Sequence, residues 1–157
     1  MRISRVALTI VALSTAGLGL GVAAQQKPAA VAPKVTVYKT SSCGCCRLWV
    51  DHLKTNGFDV QAMDVSADDV RKVSKAAGLK DEDTSCHTAK IGDYVVEGHV
   101  PAADIRRLLK EKPAIAGLSA PGMPMGSPGM EQGGAKEPYD VIAFKKDGTS
   151  TVFAKHK

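Results

Sequence analysis

Three of the four cysteines in this chain stand within four residues, Cys43-Gly44-Cys45-Cys46, and the fourth is Cys86. Thiols this dense must converge on one point, so the segments on either side must deliver them there. Pairing does not give a simple two-bridge framework. A Cys45–Cys46 bridge would be a strained vicinal one, and deviation from ordinary disulfide geometry stores strain. Cys43 with Cys46 closes a tight C-x-x-C ring and leaves Cys86 with Cys45 or with nothing. An even cysteine count in an exported chain usually signals staples. This spacing suits metal ligation or thiol exchange better.

The flanks place the triplet at a strand-to-helix junction. Val35 and Val37 alternate within Lys34–Lys39, which reads as a strand. Thr40-Ser41-Ser42 is a polar turn able to cap the next helix. Cys46, Trp49, Val50 and Leu53 then fall on one helical stripe that ends at Asn56-Gly57. At a helix amino terminus the unpaired amides and the dipole stabilise a thiolate, the form that both a metal site and a redox enzyme use.

Further on, Phe58–Val65 reads as a strand. Ser66 caps a helix whose inner face is Val70, Val73 and Ala77 and which stops at Gly78. Thr88–Ile91 and Tyr94–Val96 form two short strands around Gly92-Asp93. Pro101 opens a third helix, with Ile105, Leu108 and Leu109 apolar and Pro113 at its end. Gly117–Gly134 has no periodicity. Tyr139–Phe144 and Thr149–Ala154 form a hairpin around Asp147-Gly148. This order predicts an α/β fold, a thioredoxin-like sandwich with a mixed sheet and a Met/Gly/Pro-rich loop before a C-terminal hairpin. A small ferredoxin-like α+β domain is the rival.

The amino terminus sets the compartment. Arg2 and Arg5 precede an uncharged run from Val6 to Ala24 that ends in Val22-Ala23-Ala24. That is the pattern of a secretory signal peptide over residues 1–24, cleaved after Ala24, with an uncleaved anchor as the alternative. Residues 25–33 read as a flexible Ala/Pro linker and residues 34–157 as one metal-binding domain. The expected location is the periplasm, with no stable membrane insertion after cleavage. The formal net charge of +5 is of mixed sign along the chain, and no basic block alternates with aromatics. Nucleic acid is therefore not an expected partner.

Cys86 lies in Ser85-Cys86-His87-Thr88, just before the third strand. In the predicted fold the chain passes there beside the helix end that carries the first three cysteines. Cys43, Cys45, Cys46 and Cys86 are thus the expected soft ligands. His87 is a candidate ligand, a donor behind the ligands or a surface residue. His99 reads as a capping or turn histidine, His52 as exposed and His156 as a tail residue. The loop adds Met123, Met125 and Met130, three of the five methionines, among glycines and prolines that no helix tolerates. Thioethers are soft, neutral ligands suited to Cu(I) or Ag(I). Four thiolates alone would also satisfy Zn, the competing metal.

The motifs Cys43-Gly44-Cys45-Cys46, Ser85-Cys86-His87-Thr88, Tyr94–Pro101 and Gly117-Leu118 through Pro121-Gly122-Met123-Pro124 to Gly129-Met130-Glu131 occur in one order across Val35–Phe153. In these the chain resembles the copper-resistance-associated periplasmic proteins of the CopG type, long catalogued as a domain of unknown function. The resemblance implies a thioredoxin-like fold and a periplasmic site. It also implies Cu(I) held by Cys43, Cys45, Cys46 and Cys86, a multinuclear cluster included, with Met123, Met125 or Met130 approaching. Copper ions and other periplasmic copper-handling proteins are the partners it suggests. Two classes stay open: a protein that sequesters or passes on copper, and a thiol-disulfide or copper-linked oxidoreductase. The C-x-x-C relation favours the second. Cys45 inside the motif, and the Cys86 region where a thioredoxin carries its proline, favour the first.

Overall fold

The computed structural model describes residues 31–157, so the expected signal peptide and most of the expected linker lie outside the described residues. Among the described residues, three helices and seven strands follow one another as β1 (Lys34–Lys39), α1 (Gly44–Thr55), β2 (Asp59–Asp64), α2 (Ala67–Ala76), β3 (His87–Ile91), β4 (Tyr94–Gly98), α3 (Ala102–Glu111), β5 (Gly117–Ala120), β6 (Tyr139–Phe144) and β7 (Ser150–His156). Short 3-10 turns occupy Asp81–Asp83 and Gln132–Gly134. The strands form one mixed sheet in the order β2-β1-β3-β4-β5-β6-β7. The β1–β2 and β4–β5 pairs are parallel and the other four antiparallel. Each parallel pair is joined across a helix, α1 for the first and α3 for the second, as parallel neighbours require.

One face of the sheet carries the main core. Val35 and Val37 of β1, Ala89 and Ile91 of β3, Val96 of β4 and Leu118 of β5 pack with Trp49, Val50 and Leu53 of α1 and Ile105 and Leu108 of α3. Val95 belongs instead to a smaller cluster with Leu79, Ala116 and Phe144. Neighbouring strand residues point to opposite faces, so this second cluster lies on the other side. Two bonds lock α1 to the start of α3. Trp49 Nε1 donates to the Val100 carbonyl at 2.9 Å, and Ala102 N donates to His52 Nε2 at 3.1 Å.

Several expectations need correction. Gly117–Ala120 is a strand, and the irregular loop begins only after it. Its sequence, Gly-Leu-Ser-Ala, has all four residues buried and so shows no alternation. The cap of α1 is Cys43 and not a residue of Thr40-Ser41-Ser42: its sulfur accepts from Cys46 N at 3.3 Å. On α2 the buried residues are Val70 and Ser74, whose hydroxyl donates to the Arg71 carbonyl. His52 is half-buried and accepts a bond from α3. His156 is no loose tail: it ends β7, stacks on Tyr139 with ring centroids 4.8 Å apart and meets the Asp104 carboxylate at 2.7 Å.

Candidate metal centre

Strand register brings the distant cysteine to the triplet. In the antiparallel β1–β3 pair Lys39 lies opposite His87. The chain leaving β1 enters the turn to Cys43, and the chain entering β3 is Cys86, so both arrive at the same end of the sheet. Cys43 and Cys46 are joined as a disulfide with Cα atoms 5.4 Å apart, while Cys45 and Cys86 are free thiols. Cys46 Sγ lies 3.4 Å from Cys86 Sγ, Cys43 Sγ 3.6 Å from Cys45 Sγ, and Cys45 Sγ 3.9 Å from Cys86 Sγ. All four sulfurs fall within 4.8 Å of one another, close enough for one metal centre once the disulfide is reduced.

The Cys86 thiol is pushed up to about 12, by burial first and then by the nearby Cys45 sulfur. It is a neutral thiol in the metal-free protein and releases its proton to any metal it binds. His87 packs on Trp49 with centroids 4.4 Å apart and meets His99 edge-on at 5.0 Å. Burial, and then the neighbouring His99, push its pKa down to about 3, so it is neutral.

A carboxylate behind the site holds the Cys86 segment. Glu97, 1 % exposed, accepts from Ser85 N at 2.8 Å and from Thr88 Oγ1 at 2.5 Å. Cys86 and His87 are thus clamped on both flanks. Burial raises the Glu97 carboxyl to about 7 against the opposing effect of these two bonds.

The methionine-rich loop reaches the same place. Gly122 N donates to the Thr84 carbonyl at 2.9 Å, and the Ser85 hydroxyl donates to the Gly122 carbonyl. Gly129 sits where a Cβ would come within 2.8 Å of the Cys45 carbonyl and 2.9 Å of Trp49 N. Met123, 52 % exposed, lines a cavity of about 260 Å³ with Thr84, Ser85, Cys86 and Gly122. Met125 is held farther along, its N–H on the Glu137 carboxylate at 2.8 Å, and Met130 N donates to the Ser127 carbonyl. So the fold brings together all four cysteines and His87 and sets Met123 beside Cys86. It ties Met125 and Met130 into the loop's own bonds.

Sequence reasoning missed His99. It is fully buried at the end of β4, with Nε2 3.3 Å from Cys86 Sγ and Nδ1 2.8 Å from the Pro128 carbonyl. It shares a possible metal-holding group with Cys86 and His87. Burial lowers its pKa, against the Pro128 carbonyl and the Glu131 charge.

Comparison with known proteins places the chain among relatives. Residues 84–130 match the family described as "Protein of unknown function, DUF411". No curated protein matches. Two solved structures are similar at 40% identity and a TM-score of 0.73. One, "Copper resistance protein copG- Form 2", spans 80% of this chain and 99% of its own. The other, "Copper resistance protein copG- Form 1", spans 79% and 98%.

Proposed function

The chain belongs to the family of copper resistance protein CopG, and on that footing we propose that it is an exported, periplasmic protein that binds Cu(I) for sequestration, transfer or resistance. The observation that carries this reading is the convergence of four sulfurs within 4.8 Å at one end of the sheet. Thiolates at that density suit a soft monovalent ion and leave room for more than one. Ag(I) is the expected substitute and Zn(II) the competitor. We read the fold as thioredoxin-like from the β2-β1-β3-β4 order, with the cysteine triplet where β1 gives way to α1. Residues 1–24 are the proposed signal peptide and 25–33 the linker.

The ligand assignment is Cys43, Cys45, Cys46 and Cys86, with the Met123 thioether as the first sulfur that an arriving ion meets at the cavity beside Cys86. Anaerobic reconstitution of reduced protein with Cu(I) and Zn(II) in competition tests it. Retention of copper and exclusion of zinc is the expected result. Preferential zinc retention would overturn it.

One observation favours a second reading, a thiol-disulfide or copper-linked oxidoreductase. Cys43 and Cys46 form a C-x-x-C disulfide at the start of α1, the arrangement in which a helix end lowers a thiol pKa. Turnover of a disulfide substrate by metal-free protein, abolished by Cys43→Ser and unaffected by Cys86→Ser, would favour this reading over the first.

A further inference from the structure

Cys86 belongs to two donor groups at once. One is the set of four sulfurs. The other is Cys86 with His87 and His99, whose donor atoms also lie within 4.8 Å of one another. Cys86 Sγ is 3.4 Å from His87 Nδ1 and 3.3 Å from His99 Nε2. A thiolate at about 2.3 Å and an imidazole nitrogen at about 2.0–2.1 Å from one tetrahedral ion stand about 3.5 Å apart. The separations in the protein are within a few tenths of an ångström of that value without any movement.

The protonation pattern of His99 fits a ligand. A carbonyl oxygen only accepts, so the bond to Pro128 puts the proton on Nδ1 and leaves a lone pair on Nε2, the nitrogen beside Cys86. Metal-bound histidines ordinarily make this outer bond, which fixes ring and tautomer. His87 is fully buried, and its Nε2 has no hydrogen-bond partner among the described residues. A buried imidazole normally satisfies both nitrogens. Here Nδ1 faces the Cys86 sulfur, and the Gly98 backbone is the ring's other polar neighbour.

The disulfide separates the two groups. With Cys43 and Cys46 joined, the four-sulfur set loses two of its thiols. The Cys86-His87-His99 set loses none. Cys45, the other free thiol, lies 3.9 Å from Cys86, about the sulfur–sulfur separation on one tetrahedral ion with 2.3 Å bonds. We propose that Cys86, His87 and His99 form a one-copper position of their own that holds a copper ion while the Cys43–Cys46 disulfide is intact. The disulfide form is then a partly loaded state of the protein and not an empty one. Two imidazoles and one thiolate also make a harder donor set than four thiolates, of the kind that accommodates both oxidation states of copper.

This rests on the reading of the chain as a copper protein, and the test separates the two. The full mature chain is prepared with the Cys43–Cys46 bond intact, as verified by mass spectrometry, and separately in reduced form. Each is loaded anaerobically with Cu(I) supplied as its acetonitrile complex and desalted. We expect one equivalent on the disulfide form, with nitrogen in the copper coordination shell by X-ray absorption. We expect more than one on the reduced form, with a shell dominated by sulfur. His87→Gln should weaken Cu(I) binding to the disulfide form at least tenfold and to the reduced form less than threefold. Cys43→Ser/Cys46→Ser, which needs no disulfide, should bind one equivalent with the same nitrogen signal. A disulfide form that holds no copper beside a reduced form that does would overturn this proposal alone, as would one equivalent bound through sulfur only. Copper retained by neither form would overturn the copper reading itself.

Discussion

His99 Nδ1 donates to the carbonyl oxygen of Pro128 across 2.8 Å, joining the end of β4 to the methionine-rich loop directly beside the cysteine cluster. The loop is therefore part of the wall of the site. Gly122 ties it to Thr84 and Ser85 at one end, and Pro128 ties it to His99 at the other.

The next residue, Gly129, makes that docking possible. Its φ is +87°, and any Cβ would press on the Cys45 carbonyl and Trp49 N. Both obstacles are backbone and cannot rotate away. Gly129→Ala is expected to cost about 1–3 kcal/mol and to lift the loop from α1. A urea midpoint gives the first quantity. Faster trypsin cleavage at Lys136 gives the second, because Lys136 packs against the same loop at Gly126. An unchanged midpoint and cleavage rate would show that the loop is not seated as described.

Most of this arrangement was legible in the sequence, and what was missed has identifiable causes. Hydrophobic period and cap residues located the three helices and six of the seven strands, because Val35, Val37, Trp49 and Leu53 are all core residues in regular elements. The exception was β5, whose buried Gly-Leu-Ser-Ala carries no alternation. The meeting of Cys86 with the triplet followed from element order alone. His99 was missed because a histidine between Gly98 and Val100 looks like a turn residue. The signal was present: equal steps outward from the Gly92-Asp93 turn pair Ile91 with Tyr94 and Thr88 with Glu97, and the same count brings Cys86 opposite His99. The long-range bonds of Glu97, His52 and Pro128 depend on three-dimensional packing, and no local pattern encodes them.

His52 gives the protein an acid limit remote from the cysteines. Its Nε2 accepts the Ala102 N–H at the start of α3, so the ring must be neutral at that nitrogen. Burial lowers its pKa, with the Glu131 charge opposing. A lowered histidine pKa means that its contribution to stability is complete above the unfolded value of about 6.5 and is lost as pH falls through the folded value. The metal-free protein is expected to lose stability on acidification below pH 6.5, and His52→Gln, which keeps a side-chain acceptor, should flatten that slope. Urea midpoints of the two proteins at several pH values check it. Parallel slopes would remove His52 from the acid transition.

Glu97 holds the segment that presents Cys86, and this can be separated from bulk. Glu97→Ala leaves Ser85 N without its acceptor and Thr88 Oγ1 with only the longer bond to the Val70 carbonyl, and opens a void. The expected loss is about 2–4 kcal/mol. Glu97→Gln keeps one oxygen to accept from Ser85 N and should lose about 1 kcal/mol. If the clamp positions Cys86, Cu(I) affinity falls in the same order, Ala below Gln below parent, at temperatures where all three are folded by circular dichroism. Equal affinities in the three proteins would make Glu97 a purely structural residue.

The three loop methionines are not equivalent, and substituting them singly separates a ligand from a lid. Met123 is more than half exposed and shares the 260 Å³ cavity with Cys86. On the proposed assignment, an ion entering from solvent through that opening is expected to meet its sulfur before the thiols. Met125 is held by paired bonds to Glu137, its N–H on the carboxylate and its carbonyl accepting from Glu137 N at 3.0 Å. Met130 closes a turn with Ser127 and accepts from Gly126 N at 3.0 Å. Their backbones do structural work that leucine can also do. Met123→Leu keeps size and removes the soft donor. It is expected to slow Cu(I) exchange with a chromophoric chelator by about tenfold, the scale expected for one support of a metal site, and to leave the urea midpoint unchanged. Met125→Leu and Met130→Leu should change exchange by less than a factor of two. Stopped-flow transfer of Cu(I) from each protein to the chelator reads all three. Equal rates throughout would make the loop a hydrophobic cover, whereas a slow step at Met125 or Met130 would place the route for copper on the other side of the loop.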